Sequence, residues 1–239
     1  RVGIAMGRSH YATWHNTGSI GSFGAAAACA TLLRLDVEAF AHALAIAATG
    51  TAGLQQAFRD ETMVKPLHAG RAAELGLFAA RLAAGGLRSS RDIFEGESGL
   101  GRAMSRDADW HAIEATLGTE FHVTRLTFKN HVGCGHAFPA IDGALALQRE
   151  HGFVADEVAD IHLGVYRPTL EMAHHRDPVT PEQAKFSLTY LVATALVHGS
   201  VRLSAFERAR LTDIGTRALM TTITASLDPE VDGGFPARR

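Results

Sequence analysis

The chain has 239 residues, enough for one large domain or two modest ones, and either can bury a real core. Its 23 Lys and Arg against 25 Asp and Glu leave a formal charge of −2, so no broad basic field points to nucleic acid or a membrane surface. No uninterrupted apolar run reaches the ~18 residues of a membrane span, and two cysteines far apart, Cys29 and Cys134, do not make a disulfide framework.

In chain order, Gly24 opens the alanine-rich run AAAACATLLRL as a first helix. Asp36 is then the N-cap of VEAFAHALAIAA, where Val37, Phe40, Ala41 and Leu44 recur at helical spacing and give one apolar face. Gly50 and Gly53 punctuate its end. A third helix is predicted from His68 to Ala84, with Ala72, Leu75, Ala79 and Leu82 inward and Gly85-Gly86 as its stop. So many alanines and glycines predict close helix–helix packing in a compact bundle.

The texture changes near Gly118. Residues 121–129 (FHVTRLTFK) are β-branched and aromatic enough to predict a strand. AFPAIDGALALQREHG predicts a helix with Phe138, Ile141 and Leu145 on one side. Over 158–166, Ile161, Leu163 and Val165 alternate with His162 and Gly164, the pattern of a half-buried strand. Pro181 starts another helix as a first-turn residue, carrying Phe186, Leu188, Leu191 and Ala195, and a last helix is expected from Ser204 to Ile223. The fold class is therefore mainly α with a smaller α+β part. There is no internal repeat.

Three segments can carry chemistry. The turn FKNHVGCGH, Phe128 to His136, crowds Lys129, His131, Cys134 and His136 together, and thirteen histidines exceed what packing needs. Its His-x-x-Cys-x-His spacing allows a zinc reading, but structural zinc takes four ligands and no second pair is evident beyond His174-His175. A Cys–His nucleophile and a satisfied loop without chemistry are the other readings. In the second segment, Lys65 to Ala73, backbone N–H groups at a helix start with Lys65 and Arg71 make a carboxylate or phosphate site; the plain alternative is a surface lysine beside an ordinary helix start. The third, Trp14 to Gly24, spaces three glycines behind His15. Tight helix packing explains those glycines, and it does not explain His15.

Taken in order, these stretches resemble the MmgE/PrpD family, which includes 2-methylcitrate dehydratase, cis-aconitate decarboxylase and iminodisuccinate epimerase. The matching motifs are W-H-x-T-G-x-x-G-x-F-G-A-A-A-A at Trp14 to Ala28, K-x-L-H-x-G-R-A-A at Lys65 to Ala73, K-x-x-x-x-C with A-I-D at Lys129 to Asp142, and F-S-x-x-Y-x-V-A-x-A-L at Phe186 to Leu196. The resemblance implies an all-helical domain carrying an α+β lid domain, with the active site between them and a homodimeric assembly. With the change of texture at Gly118, residues 1–117 fall to the helical domain, 118–180 to the lid, and 181–239 to helices that continue the lid or return to the helical domain. It implies small di- or tricarboxylate substrates and neither metal nor organic cofactor.

Carried over by position, His15, Lys65, Cys134 and Tyr190 are the expected catalytic residues, with Lys129, His68, Arg71 and His136 holding substrate. Cys134 stands where the decarboxylase has a catalytic histidine and many other members have cysteine, which argues against a decarboxylase and leaves dehydratase or epimerase chemistry open. Family active-site positions ahead of Trp14 have no counterpart here. The chain also starts at Arg1 without an initiator methionine or signal peptide and stops at Arg238-Arg239, so part of a longer, cytoplasmic protein is expected. The expected reaction is proton abstraction next to a carboxylate, with lysine charge countering the enolate-like intermediate and His15, at an ordinary pKa near 6.5, as base or acid. A dehydratase of the 2-methylcitrate type comes first and an iminodisuccinate-type epimerase second. A non-catalytic carboxylate-binding member is the competing class.

Overall fold

The computed structural model describes residues 1–58 and 63–235, so Arg238 and Arg239 lie outside the described residues. The chain is mostly helical with a small two-stranded sheet, and it divides into two compact units, Arg1–Leu126 and Thr127–Arg239.

The first unit is built on the helices Gly21–Leu32, Val37–Gly50 and Val64–Ala84. Their buried faces are almost all alanine, including Ala26, Ala30, Ala43, Ala47, Ala72, Ala79, Ala80 and Ala83. Small side chains let helix backbones approach closely. A Cβ on Gly76 would lie 2.3 Å from Ala25 Cβ and 2.5 Å from the Ala26 nitrogen, so only glycine fits there. Asp36 caps as expected, accepting from the Ala39 N–H at 2.8 Å. Val37, expected on the inward face, is instead 85% exposed. The helix turns Ala43, Ala45, Ala47 and Ala48 inward, and Phe40, Ala41 and Leu44 are half-buried. The third helix begins four residues earlier than its periodicity predicts, at Val64 rather than His68. Pro66 tolerates that first turn because its missing N–H would have had no intrahelical partner.

The second unit packs the helices Phe138–His151 and Leu188–His198 around Ile141, Tyr190, Leu191, Val192 and Val201, all fully buried. Both helices stop on a left-handed glycine, Gly152 (φ 69°) and Gly199 (φ 73°). Strand β1, Ile161–Val165, keeps its predicted alternation and pairs in parallel with strand β2, Ile223–Leu227, in the register Ile161 to Ile223 through Val165 to Leu227. Residues from both 131–173 and 184–223 share this one core.

Three expectations fail in this half of the chain. The strand over 121–129 does not form: His122–Arg125 is a short 3-10 helix and Phe128 is 91% exposed. Strand-like composition needs a partner strand to become a ladder, and none pairs with this stretch among the described residues. The helix begun by Pro181 ends at Lys185, and a new one starts at Leu188, because Ser187 caps it by accepting from the Tyr190 N–H at 3.2 Å. The last helix, Ser204 to Ile223, is broken up: Asp213 takes the Thr216 N–H at 2.8 Å and starts a separate helix, Ile214–Met220, while Ile223 opens β2.

Candidate active site

In the first unit the chain brings His15 and His68 together. His15 occupies the N-cap position of the short helix Asn16–Ser19 with extended backbone (φ −84°, ψ 113°). Its N–H donates to the Gly53 carbonyl at 2.8 Å, and its own carbonyl accepts from the N–H groups of Gly18 and Ser19 at 2.9 and 3.0 Å. Trp14 forms an antiparallel bridge with Leu54, which ties the same loop down. His68 lies one turn into the helix Val64–Ala84. The two rings meet Nδ1 to Nδ1 at 2.9 Å, with centroids 5.1 Å apart and planes at 41°. Both are buried, at 7% and 8% exposure.

The glycines behind His15 separate into different jobs. A Cβ on Gly18 would sit 2.7 Å from the Ala52 carbonyl and 3.4 Å from His68 Cβ. Gly53, at φ +132°, passes the same point, and a Cβ there would lie 3.5 Å from His68 Nδ1. These two glycines let the backbone close over the histidine pair. Gly21 instead faces Ala72 Cβ at 3.2 Å in the helix packing, and a Cβ on Gly24 would meet nothing within 4 Å.

Burial, reinforced by the charges of His68 and Lys65, lowers the His15 pKa from 6.5 to about 4. The expectation of an ordinary histidine near 6.5 is therefore corrected: His15 is neutral at pH 7. His10, which the sequence reading missed, extends the network. It is buried, with Nδ1 against the Met104 carbonyl at 3.0 Å and Nε2 against Ser19 Oγ at 2.8 Å, while Ser19 Oγ lies 3.1 Å from the His15 carbonyl. A carbonyl only accepts, so His10 Nδ1 carries the proton. Burial lowers the His10 pKa as well. Nothing at sequence level marks His10, whose role depends on a carbonyl 94 residues away.

A pH dependence of stability follows. Below pH 6.5 the unfolded chain protonates His15 and the folded chain does not, so the folded state binds fewer protons and loses stability as pH falls. The loss runs from pH 6.5 to about 4, at no more than about 1.4 kcal/mol per pH unit for this group. Urea midpoints measured across that window should fall with pH, and more shallowly in His15→Asn. An identical slope in the variant would contradict the burial of a neutral His15.

Lys65 is exposed in the first turn of the helix, and its charge reaches His15. Arg71 does not join it as expected. Its guanidinium pairs with Glu74 on the exposed helix surface, three residues along.

In the second unit the turn at 129–136 is arranged differently from its sequence reading. Lys129 folds back on its own turn, donating from Nζ to the Gly133 carbonyl at 3.2 Å and lying 5.7 Å from the Phe138 ring centroid. Gly133 reaches this turn at φ +114°, where a side chain would crowd Leu191. Cys134 is buried, and its N–H donates to the Lys185 carbonyl at 2.8 Å. His136 Nδ1 lies 2.9 Å from the Tyr166 hydroxyl, and Tyr166 stacks on Phe235 at 4.7 Å. His131 is more built than expected: its Nε2 donates to Asp142 at 2.8 Å, and its buried Nδ1 has no hydrogen-bond partner among the described residues. The signal was in the A-I-D triplet, since Asp142 is eleven residues on.

Tyr190 sits in the core. The ring is 0% exposed, the hydroxyl donates to the Ala205 carbonyl, and burial pushes the phenol pKa up. A hydroxyl so enclosed is part of the packing of this core. Among the described residues no group of three or more His, Cys, Asp or Glu is placed to hold a metal ion, and no helix is long and apolar enough to cross a membrane.

Comparison with known proteins agrees with these motifs. The MmgE/PrpD N-terminal domain matches residues 1–113 and the MmgE/PrpD C-terminal domain residues 131–239. A cis-aconitate decarboxylase-like protein of Aspergillus oryzae is 29% identical, over 97% of this chain and 52% of that protein. Cis-aconitate decarboxylases of Mus musculus and Homo sapiens are each 26% identical, over 93% and 91% of this chain and 46% of those proteins. The chain spans about half the length of the curated relatives it matches. It belongs to the MmgE/PrpD family.

Proposed function

We propose that the protein containing this chain is a cofactor-independent lyase of small di- or tricarboxylates that transfers a proton at a carbon next to a carboxylate. The observation that carries this reading is the buried His15–His68 pair with the Lys65 charge acting on it. A C–H bond next to a carboxylate yields its proton only if the resulting enolate-like charge is stabilised. Lys65 supplies positive charge, and a neutral histidine supplies a lone pair. An anionic substrate bound beside the pair raises the His15 pKa again, because a nearby negative charge favours the imidazolium.

In the hydro-lyase version, the C–H bond breaks to a histidine nitrogen, a C=C bond forms, and the neighbouring C–OH bond breaks. The hydroxide leaves as water with a proton delivered from the site. The imidazolium formed by the abstraction is the acid for that delivery. For Cys134 as a second proton carrier, and for Lys129 and His136 as carboxylate holders, the support is the resemblance of their turn to the family motif. Tyr190 and Arg71 are left out on their contacts. Assembly as a cytoplasmic homodimer belongs to the same proposal and rests on the family resemblance.

One observation favours a second reading. The relatives above are named as cis-aconitate decarboxylases, and in a decarboxylation the same site delivers a proton to carbon as the carboxylate leaves as CO₂. Product analysis of the full-length protein with a panel of 2-hydroxy and unsaturated tricarboxylates separates the two. An unsaturated acid formed with loss of water is the expected product, and released CO₂ would replace the hydro-lyase by the carboxy-lyase. Binding of these acids without any turnover would overturn both and leave a carboxylate-binding protein.

A further inference from the structure

The way His15 and His68 touch constrains their protons. A 2.9 Å approach of Nδ1 to Nδ1 in a buried pair requires one Nδ1–H and one bare Nδ1. When both rings are neutral, each imidazole carries a single ring proton. The donor ring therefore has a bare Nε2, and the acceptor ring has an Nε2–H. Whichever ring donates, the pair holds one base and one acid at its two Nε2 atoms.

We infer that His15 and His68 act as one proton relay, in which a proton taken up at the Nε2 of one ring is matched by a proton released from the Nε2 of the other. The step balances without oxidant or reductant. An N–H bond forms at the bare Nε2, and that ring passes its Nδ1 proton across the 2.9 Å bond to the other Nδ1. The second ring then breaks its own Nε2–H bond. One proton has entered, one has left, and both tautomers have exchanged.

The surrounding structure suits this use. Gly18 and Gly53 bring backbone against His68, and the His15 main chain is held at both its N–H and its carbonyl, so neither ring is placed by a mobile loop tip. Lys65, on the helix that carries His68, opposes a lasting imidazolium at His15 and so keeps the charged intermediate brief. His10 reaches the His15 carbonyl through Ser19, which ties the main chain that carries the His15 ring to a second buried histidine. Two hydrogen-bonded histidines add what a single base lacks: the proton removed need not return from the same atom.

This inference rests on the carboxylate-lyase reading for its use in turnover but not for its protonation pattern, and the test keeps the two apart. Full-length protein labelled with ¹⁵N-histidine should show His15 and His68 by NMR as opposite tautomers, one protonated at Nδ1 and the other at Nε2. Two Nε2–H tautomers would overturn the relay. His68→Asn keeps a side-chain N–H near the Nδ1 position but cannot pass a proton. It should lower α-proton exchange of the substrate by at least about 100-fold, with KM changed by less than about threefold. Exchange within about threefold of wild type in a folded His68→Asn protein would also overturn it. Opposite tautomers with no exchange by wild type would sink the lyase reading alone.

Discussion

Replacing His15 by alanine in the full-length protein is expected to lower kcat by at least about 100-fold while KM changes little. The ring is buried, its main chain is bonded to Gly53, Gly18 and Ser19, and its only polar reach toward chemistry is the imidazole. Removing it takes away the proton acceptor and leaves the Lys65 charge in place, so substrate still binds. The loss sits in kcat because proton transfer is realised in the transition state. A KM increase with kcat unchanged would make His15 a binding residue instead.

The second large effect concerns stability. Tyr190→Ala should destabilise the protein by about 3–5 kcal/mol, the usual cost of emptying a large aromatic site in a packed core. Tyr190→Phe keeps the ring and removes the hydroxyl that donates to Ala205, so it should cost about 1–2 kcal/mol by leaving a buried carbonyl unpaired. In both variants that remain folded, kcat should stay within a few-fold of wild type. Urea midpoints and kcat measured on the same preparations check this directly. A 100-fold fall in kcat for a stable Tyr190→Phe protein would restore Tyr190 to the chemistry.

Much of the helical part was legible because its signals are local. Asp36 announced a cap, Gly85-Gly86 announced a helix end, and the alternation at Ile161–Val165 announced a strand. The failures have a common cause. Residues 121–129 carry strand composition, but pairing is a property of the partner, not of the segment. The strand Ile223–Leu227 was hidden for the same reason, because only its register with Ile161–Val165 makes it one. Asp213 was a readable breaker, since a capping aspartate inside a helical pattern starts a new helix.

The candidate site divides along the same line. His15, Lys65 and His68 were readable as residue types in ordered motifs, but their contact was not, since 53 residues separate the two histidines. The lowered pKa of His15 is a property of that contact and of burial. Arg71 and Tyr190 show how little a motif position says about contacts. Each occupies a motif position, yet Glu74 engages one and the Ala205 carbonyl the other.

The most direct measurement of the central claim is hydrogen exchange at the substrate carbon. Full-length protein incubated with candidate di- and tricarboxylates in D₂O should place deuterium on the carbon next to a carboxylate of at least one of them. The His15→Ala protein should do so at least about 100-fold more slowly. No exchange with any candidate, from a protein that binds them, would contradict the account.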